Sequence, residues 1–231
     1  MQAGPRRNPP GGPSPGGPDT PPGGPDRNAA LAQYQRRAGT YDLELAPFEP
    51  LRRLAIARLC LQPGETVLDV GCGTGLSLPL LLQGVGDAGQ VVGIEQSPEM
   101  LARARTRAQA TGHRHVKLHC APAEDARLVG RADAALFHFT HDILRRPQAL
   151  DHVLRHLRPG ARVVATGLQW APTWAWPLNL VVWAAALRSV SSLQGLAQPW
   201  SLLAERVELL DVQAEMLGAV YLLTARCPPA P

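Results

Sequence analysis

Apolar residues fall along this chain in two alternating rhythms. Thr66–Val70, Gln90–Glu95, Val116–Cys120, Ala132–Phe139 and Ala161–Gly167 are short apolar runs with the length of strands buried on both faces. Between them, Leu76–Gln83, Pro98–Thr111 and Gln148–Leu157 carry helical spacing, and Ser97 followed by Pro98 reads as a capping residue and first-turn proline. Ala29–Gly39 and Glu49–Leu61 are also helical in spacing, interrupted around Pro47 and Pro50, and Pro63-Gly64 marks a turn. Strand and helix in this alternation predict right-handed crossovers and a parallel sheet covered on both faces. Val207–Gln213 and Val220–Arg226 read as two more strands joined by a short connection containing Gly218. Strands that close together pair antiparallel. The expected fold is α/β, a doubly wound seven-stranded mixed sheet with an antiparallel last strand.

One stretch breaks the rhythm. Residues 168–200, after the fifth predicted strand, hold all five Trp, and no charged residue occurs from Val163 to Leu187. A membrane-crossing helix does not fit, because Val163–Gly167 belongs to a strand and Pro172 and Pro177 break the residues after it. Leu178–Leu187 is then too short to span. The expectation is an apolar lid insert, with Trp174 and Trp176 facing a substrate. Peripheral contact with a membrane surface, which Trp favours, is a further use of such a segment.

Composition bounds the rest. Met1 to Asn28 contains nine Pro, seven Gly and no large apolar residue beyond Met1, so residues 1–28 are expected to be a disordered tail and 29–231 a single domain. The tail has no apolar stretch of the kind a secretory signal needs, which leads to the expectation of a cytoplasmic protein. Cys60, Cys72, Cys120 and Cys227 form no CxxC pair, against both a disulfide framework and a zinc site. Net charge is +4, and arginines such as Arg103, Arg105 and Arg107 read as a solvated helix face rather than a nucleic-acid patch.

The chemistry concentrates in Val67-Leu68-Asp69-Val70-Gly71-Cys72-Gly73-Thr74-Gly75, where a buried strand runs through three glycines into a helix. Glycine serves a sharp turn and the close approach of a ligand to backbone. A dinucleotide loop has the spacing G-x-G-x-x-G/A, but the position of its third glycine is Leu76 here. Asp69 precedes the loop by two residues, disfavouring a pyrophosphate and suiting a cationic group. Glu95 ends the second predicted strand, 20 residues after Gly75, where a carboxylate can accept both hydroxyls of a ribose.

Asp69-Val70-Gly71-Cys72-Gly73-Thr74-Gly75, Glu95, Ser97-Pro98-Glu99-Met100-Leu101 and Leu157-Arg158-Pro159-Gly160 together resemble the class I methyltransferases, in particular the quinone-biosynthesis and small-molecule group. The similarity runs from about Tyr41 to Val164. It implies a Rossmann-like fold and S-adenosyl-L-methionine as cofactor. By that resemblance Gly71, Gly73 and Gly75 would hold the methionyl part, Asp69 its ammonium, Glu95 the ribose, and Gln96 or Met100 the adenine. The family often has Gly-Asp-Ala after the third strand. Ala121-Pro122-Ala123 stands there in this chain, leaving adenine recognition to the backbone at Ala123 and the side chain of Glu124. Tyr41-Asp42 resembles a pair on the N-terminal segment that folds over the cofactor.

The acceptor is expected near the end of the fourth strand, Phe137-His138-Phe139-Thr140-His141-Asp142. His141 is the candidate base and His138 a candidate substrate contact, since imidazole titrates near neutrality. That stretch lacks the Asn/Asp-Pro-Pro-Tyr/Phe of amino-methylating enzymes on nucleic-acid bases and glutamine, and the chain lacks the Pro-Cys of cytosine-C5 enzymes. The implied partner is a small-molecule acceptor, not nucleic acid. A non-catalytic cofactor-binding protein and a nicotinamide-dependent oxidoreductase are the alternatives.

Overall fold

The computed structural model describes Asp42 and residues 45–189 and 195–229. The expected tail, the helix over Ala29–Gly39 and Tyr41 lie outside the described residues.

Seven strands form one sheet: β1 (Thr66–Val70), β2 (Gln90–Glu95), β3 (Val116–Cys120), β4 (Ala132–His138), β5 (Leu157–Leu168), β6 (Glu208–Glu215) and β7 (Val220–Arg226). Their order is β3-β2-β1-β4-β5-β7-β6. The first five are parallel, and β7 runs antiparallel to both neighbours, β5 and β6. Chain direction across the sheet reverses between β1 and β4, the switch point beyond whose carboxyl ends open parallel sheets bind ligands.

Period-2 alternation assigns each strand residue to a layer. Val67, Val91, Ala134, Leu136 and Val164 pack with α1 (Glu49–Arg58), α2 (Leu78–Val85) and α3 (Pro98–Ala110). Leu68, Val70, Val92, Ile94, Phe137 and Val163 pack on the other face with α4 (His141–Leu144), α5 (Pro147–Arg155) and α7 (Ser201–Ala204), the last reached after α6 (Trp176–Ser189). Asp69 shares the parity of Val67, so it points toward the α1 layer.

Of the boundaries that differ from the sequence pattern, three have a visible local reason. The helix expected at Leu76 begins at Leu78, because two turns come first: Gly75 N–H donates to the Cys72 carbonyl at 2.8 Å and Leu78 N–H to that of Gly75 at 3.1 Å. Strand β5 begins at Leu157, where the pattern gave the end of a helix. Leu157 pairs with Ala132, and the register shifts before Arg162 meets Ala134. Strand β4 stops at His138, since Phe139 turns to a positive φ of 57°. The expected cap on α3 is present: the Ser97 hydroxyl accepts from Met100 N–H at 3.3 Å. Among the described residues no helix is long and apolar enough to cross a membrane.

Candidate functional site

The glycine loop leaves β1 and turns at once. Gly71 has φ +72°, and a Cβ there would stand 2.5 Å from the Thr140 Cγ2. Gly75 has φ +79°, and its Cβ would meet the backbone of Ala104 on α3 at 3.0 Å. Side chains are excluded at both places by conformation and by space. Gly73, between them, also has positive φ. Gly71 and Cys72 N–H both donate to the Ile94 carbonyl, at 2.8 and 2.9 Å, which locks the loop onto the end of β2.

Glu95 follows Ile94 and is nearly buried. Its Oε2 accepts from Gly73 N–H at 3.0 Å and its Oε1 from Ser97 N–H at 2.8 Å. Burial raises its carboxyl above the usual range, while these amides and that of Gln96 pull the other way. The carboxylate is thereby held rigid at the lip of a cleft lined also by Gly71, Gly73, Gln96 and Met100. Ala121 to Glu124 form the next stretch of the wall, and His138 to Ile143 face them. Arg146 and Glu124 pair at 3.1 Å on that wall, so the Glu124 carboxylate expected at adenine is engaged by a guanidinium.

A smaller cavity lies on the other side of the loop, among Arg52, Asp69, Gly71 to Thr74, Ser77 and His138. Asp69 is 2% exposed, and its Oδ2 has no hydrogen-bond partner among the described residues. Burial pushes its carboxyl up to about 7, with Glu95 adding to the rise and the Arg52 charge opposing it. Arg52 is also 2% exposed. It pairs with Glu49 through Nη1, but Nε and Nη2 have no partner among the described residues. Those two N–H groups are the side edge of the guanidinium fork, which matches a carboxylate with two parallel bonds. Buried polar atoms left without a partner cost roughly 1–3 kcal/mol each, so the cavity is complementary to a ligand carrying both an ammonium and a carboxylate.

His138 and the loop glycines Gly71 and Gly73 border both the small cavity and the large cleft. Both ring nitrogens of His138 are buried without partners among the described residues, and burial together with the Arg52 charge pushes its pKa down to about 3. The imidazole is therefore neutral near physiological pH. Phe139 holds its strained backbone by donating to the Thr166 carbonyl at 2.8 Å and by ring contacts with Phe48 and His138, each at 4.9 Å between centroids. His141, buried at the start of α4, lines the large cleft only.

Of the residues singled out in the sequence, Gly71, Gly73, Glu95, Gln96, Met100, Ala123, Glu124, His138 and His141 line the one cleft, and Asp69 lies just behind the loop. Gly75 acts from the loop's far end, by admitting α3. Trp174 and Trp176 are not among the residues that line the cleft, and they are 71% and 64% exposed. No described residue of 168–200 borders the cleft, so the described part of the segment after β5 does not cover it as a lid. The cause is packing. Ala171, Ala175 and Val182 seat that segment against Ala219 at the start of β7, beside the cleft rather than over it.

Arg52 and Arg107 were missed. Arg52 occupies the inner stripe Leu51, Arg52, Ala55, Ile56, Leu59 of its helix, and a charge at a core position was the available signal. Arg107 is not part of a solvated face. It donates to the Thr74 carbonyl and pairs with Asp42 at 2.8 Å, while Thr74 Oγ1 donates to Asp42 Oδ1 at 2.6 Å. Burial acts to raise the Asp42 carboxyl, but Thr74 and Arg107 outweigh it and hold it below the usual range. Asp42 thus ties the segment before α1 to the glycine loop.

Residues 67–160 match the family model described as a methyltransferase domain. The chain is 31% identical over 137 residues to aklanonic acid methyltransferase DauC of Streptomyces sp. (strain C5), covering 58% of this chain and 62% of that one. It is 31% identical over 147 residues to 2-phytyl-1,4-naphtoquinone methyltransferase of Trichormus variabilis, with the same coverage, so it spans less than two thirds of either relative. In fold it is similar to N-methyltransferase NodS from Bradyrhizobium japonicum WM9 in complex with S-adenosyl-L-homocysteine. That likeness has TM-score 0.64 and 17% identity, over 86% of this chain and 98% of that one.

Proposed function

We propose that this chain, a member of the class I S-adenosylmethionine-dependent methyltransferase family, moves a methyl group from that cofactor to a small, largely apolar acceptor. The observation that carries the reading is the pair of buried polar edges without partners among the described residues behind the glycine loop, Asp69 Oδ2 and the Nε–Nη2 edge of Arg52. An α-amino-acid group satisfies both at once. A dinucleotide pyrophosphate would meet Asp69 with like charge, which disfavours the oxidoreductase alternative.

With the amino-acid end against Asp69 and Arg52, the glycine loop leads to Glu95, whose second lone pairs remain for ribose hydroxyls. Gln96, Met100 and Ala123 continue the wall along which the base would lie. When bound, S-adenosylmethionine supplies an electrophilic methyl on a sulfonium. His138 stands where the two cavities meet, and its neutrality adds no charge to oppose that cation. His141 faces the cleft from the acceptor side and is the group we assign to accept a proton from an acceptor that carries one. The remaining work is alignment and exclusion of water. The names of two relatives, one an aklanonic acid methyltransferase and the other a 2-phytyl-1,4-naphtoquinone methyltransferase, support an apolar acceptor.

The test separates the amino-acid subsite from the rest. Arg52→Met should weaken S-adenosylhomocysteine roughly ten- to a hundredfold in calorimetry, the loss of about 1.5–3 kcal/mol for charge-assisted hydrogen bonds. Binding of methylthioadenosine, which lacks the amino-acid end, should stay at the wild-type level. Equal losses for both ligands, or tighter binding of NAD than of S-adenosylhomocysteine, would overturn the assignment. Methyl transfer itself is tested by turnover of labelled cofactor across a metabolite panel.

A further inference from the structure

A surface helix of a globular protein has a polar outer face, whereas a helix apolar all round is normally buried. Helix α6 breaks that rule. Between Trp176 and Ala186 every exposed position is apolar: Trp176, Pro177, Leu180, Val181, Trp183 and Ala184. Its inner stripe, Val182 with Ala175 before it, already packs on Ala171 and Ala219. The polar side chain in this stretch, Asn179, turns inward, bonding both N–H and carbonyl of Ala171 at 2.7 and 3.1 Å. The outer face therefore offers solvent nothing but hydrocarbon and indole N–H.

A second element adds to it. The turn between β6 and β7 is held beside Pro172, which a Cβ on Gly218 would strike at 2.5 Å, and the Gln169 amide donates to the Gly218 carbonyl at 3.0 Å. At this turn Met216 and Leu217 both have positive φ, and Leu217 is 69% exposed. That backbone region is unfavourable for bulky residues, and Leu217 stands exposed there beside the segment that carries Trp174. Both elements lie at the carboxyl end of β5, the end of the sheet that carries the cleft.

We propose that this face, Trp174 to Ala184 with Met216 and Leu217, seats the protein on a lipid bilayer at the boundary between headgroups and acyl chains. The chemistry of the face selects that occupant. Protein interfaces carry about one hydrogen bond per 100–200 Å² and a polar rim, whereas this face has almost no polar group to supply them. Trp is the residue enriched at membrane interfaces, its ring apolar and its N–H wet. The chain's first 28 residues hold no large apolar side chain beyond Met1 with which to meet it. At about 21 Å, α6 is shorter than the roughly 30 Å hydrocarbon core, so it lies along the surface.

The experiment requires neither cofactor nor turnover, and so stands apart from the methyl-transfer reading. The full chain is floated with vesicles of phosphatidylcholine alone and of phosphatidylcholine with phosphatidylglycerol. Wild type is expected to co-float with both. Brominated acyl chains are expected to quench its tryptophan fluorescence. Trp176→Ser with Trp183→Ser should lower partitioning at least tenfold with an unchanged circular dichroism spectrum. If that pair does not fold, Leu217→Ser and the wild-type quenching decide in its place. Absence of co-flotation, equal flotation of the variants, or binding that needs the anionic lipid and survives the substitutions overturns the proposal. So does a wild-type dimer that the double substitution dissolves, which would give the face to a second copy.

Discussion

If Asp69 holds the cofactor's ammonium, binding must report its ionisation. Burial pushes this carboxyl up to about 7, from an ordinary 3.8. Below that pH the group is neutral and has no charge to offer the ligand. Affinity for S-adenosylhomocysteine should therefore rise about tenfold from pH 6 to pH 8 and level off above, since each unit below the pKa costs one decade. The same shift has the opposite effect on the ligand-free fold. A carboxyl whose folded pKa lies above its unfolded value binds more protons folded, so stability is lost as pH rises from about 4 to about 7. A displacement from 3.8 to about 7 corresponds to at most on the order of 4 kcal/mol. Asp69→Asn removes both effects. Calorimetry between pH 6 and 8 should show a flat, weakened affinity, and at pH 8 the ligand-free variant should melt several degrees higher than wild type. Arg52, Glu95 and Cys72 share this buried neighbourhood, and Glu95 is raised in the same direction, so the slope in the variant is the decisive measurement. A wild-type affinity independent of pH, or a slope that survives Asp69→Asn, refutes the reasoning.

Glu95→Ala removes the acceptor for Gly73 and Ser97 N–H as well as the ribose contact. S-adenosylhomocysteine should bind roughly ten- to a hundredfold more weakly by calorimetry, with far-ultraviolet circular dichroism unchanged. Gly71→Ala places a Cβ 2.5 Å from Thr140 Cγ2 at φ +72°, and should abolish ligand-induced thermal stabilisation and lower the melting temperature of the ligand-free protein. His141→Ala should reduce turnover on a proton-bearing acceptor by roughly 10²–10⁴ with cofactor affinity intact. His138→Asn should leave the shape of the pH–rate profile between pH 5 and 9 unchanged, because an imidazole whose pKa is about 3 does not titrate there.

The glycine-loop half of the candidate site was legible in the sequence because backbone geometry dictates it. A chain that turns at Gly71 against Thr140 and at Gly75 against α3 accepts no other residue, and the acids at the ends of β1 and β2 follow from strand register. Four strands, β1, β2, β3 and β7, begin and end where their apolar runs do, for the same local reason. Features that depend on distant packing were not legible. The stripe of Leu51, Ala55, Ile56 and Leu59 marks Arg52 rather than Arg53 as the inward arginine, but that its guanidinium opens onto the cavity behind the glycine loop depends on how α1 packs on the sheet. The aromatic segment misled in the same way. Its composition announced an apolar role, but where it sits depends on the fit of Ala171, Ala175 and Val182 to Ala219, small contacts across the fold.

Arg52 and Asp42 both belong to the segment that precedes the Rossmann-like core, and both reach the glycine loop, one by a fork left open toward the cavity and the other by Thr74 and Arg107. The Nε–Nη2 edge of Arg52 and Oδ2 of Asp69 have no partner among the described residues, and under the proposed function a zwitterionic ligand supplies one to each. Such a ligand would bond the N-terminal segment to the sheet as well as occupying the pocket.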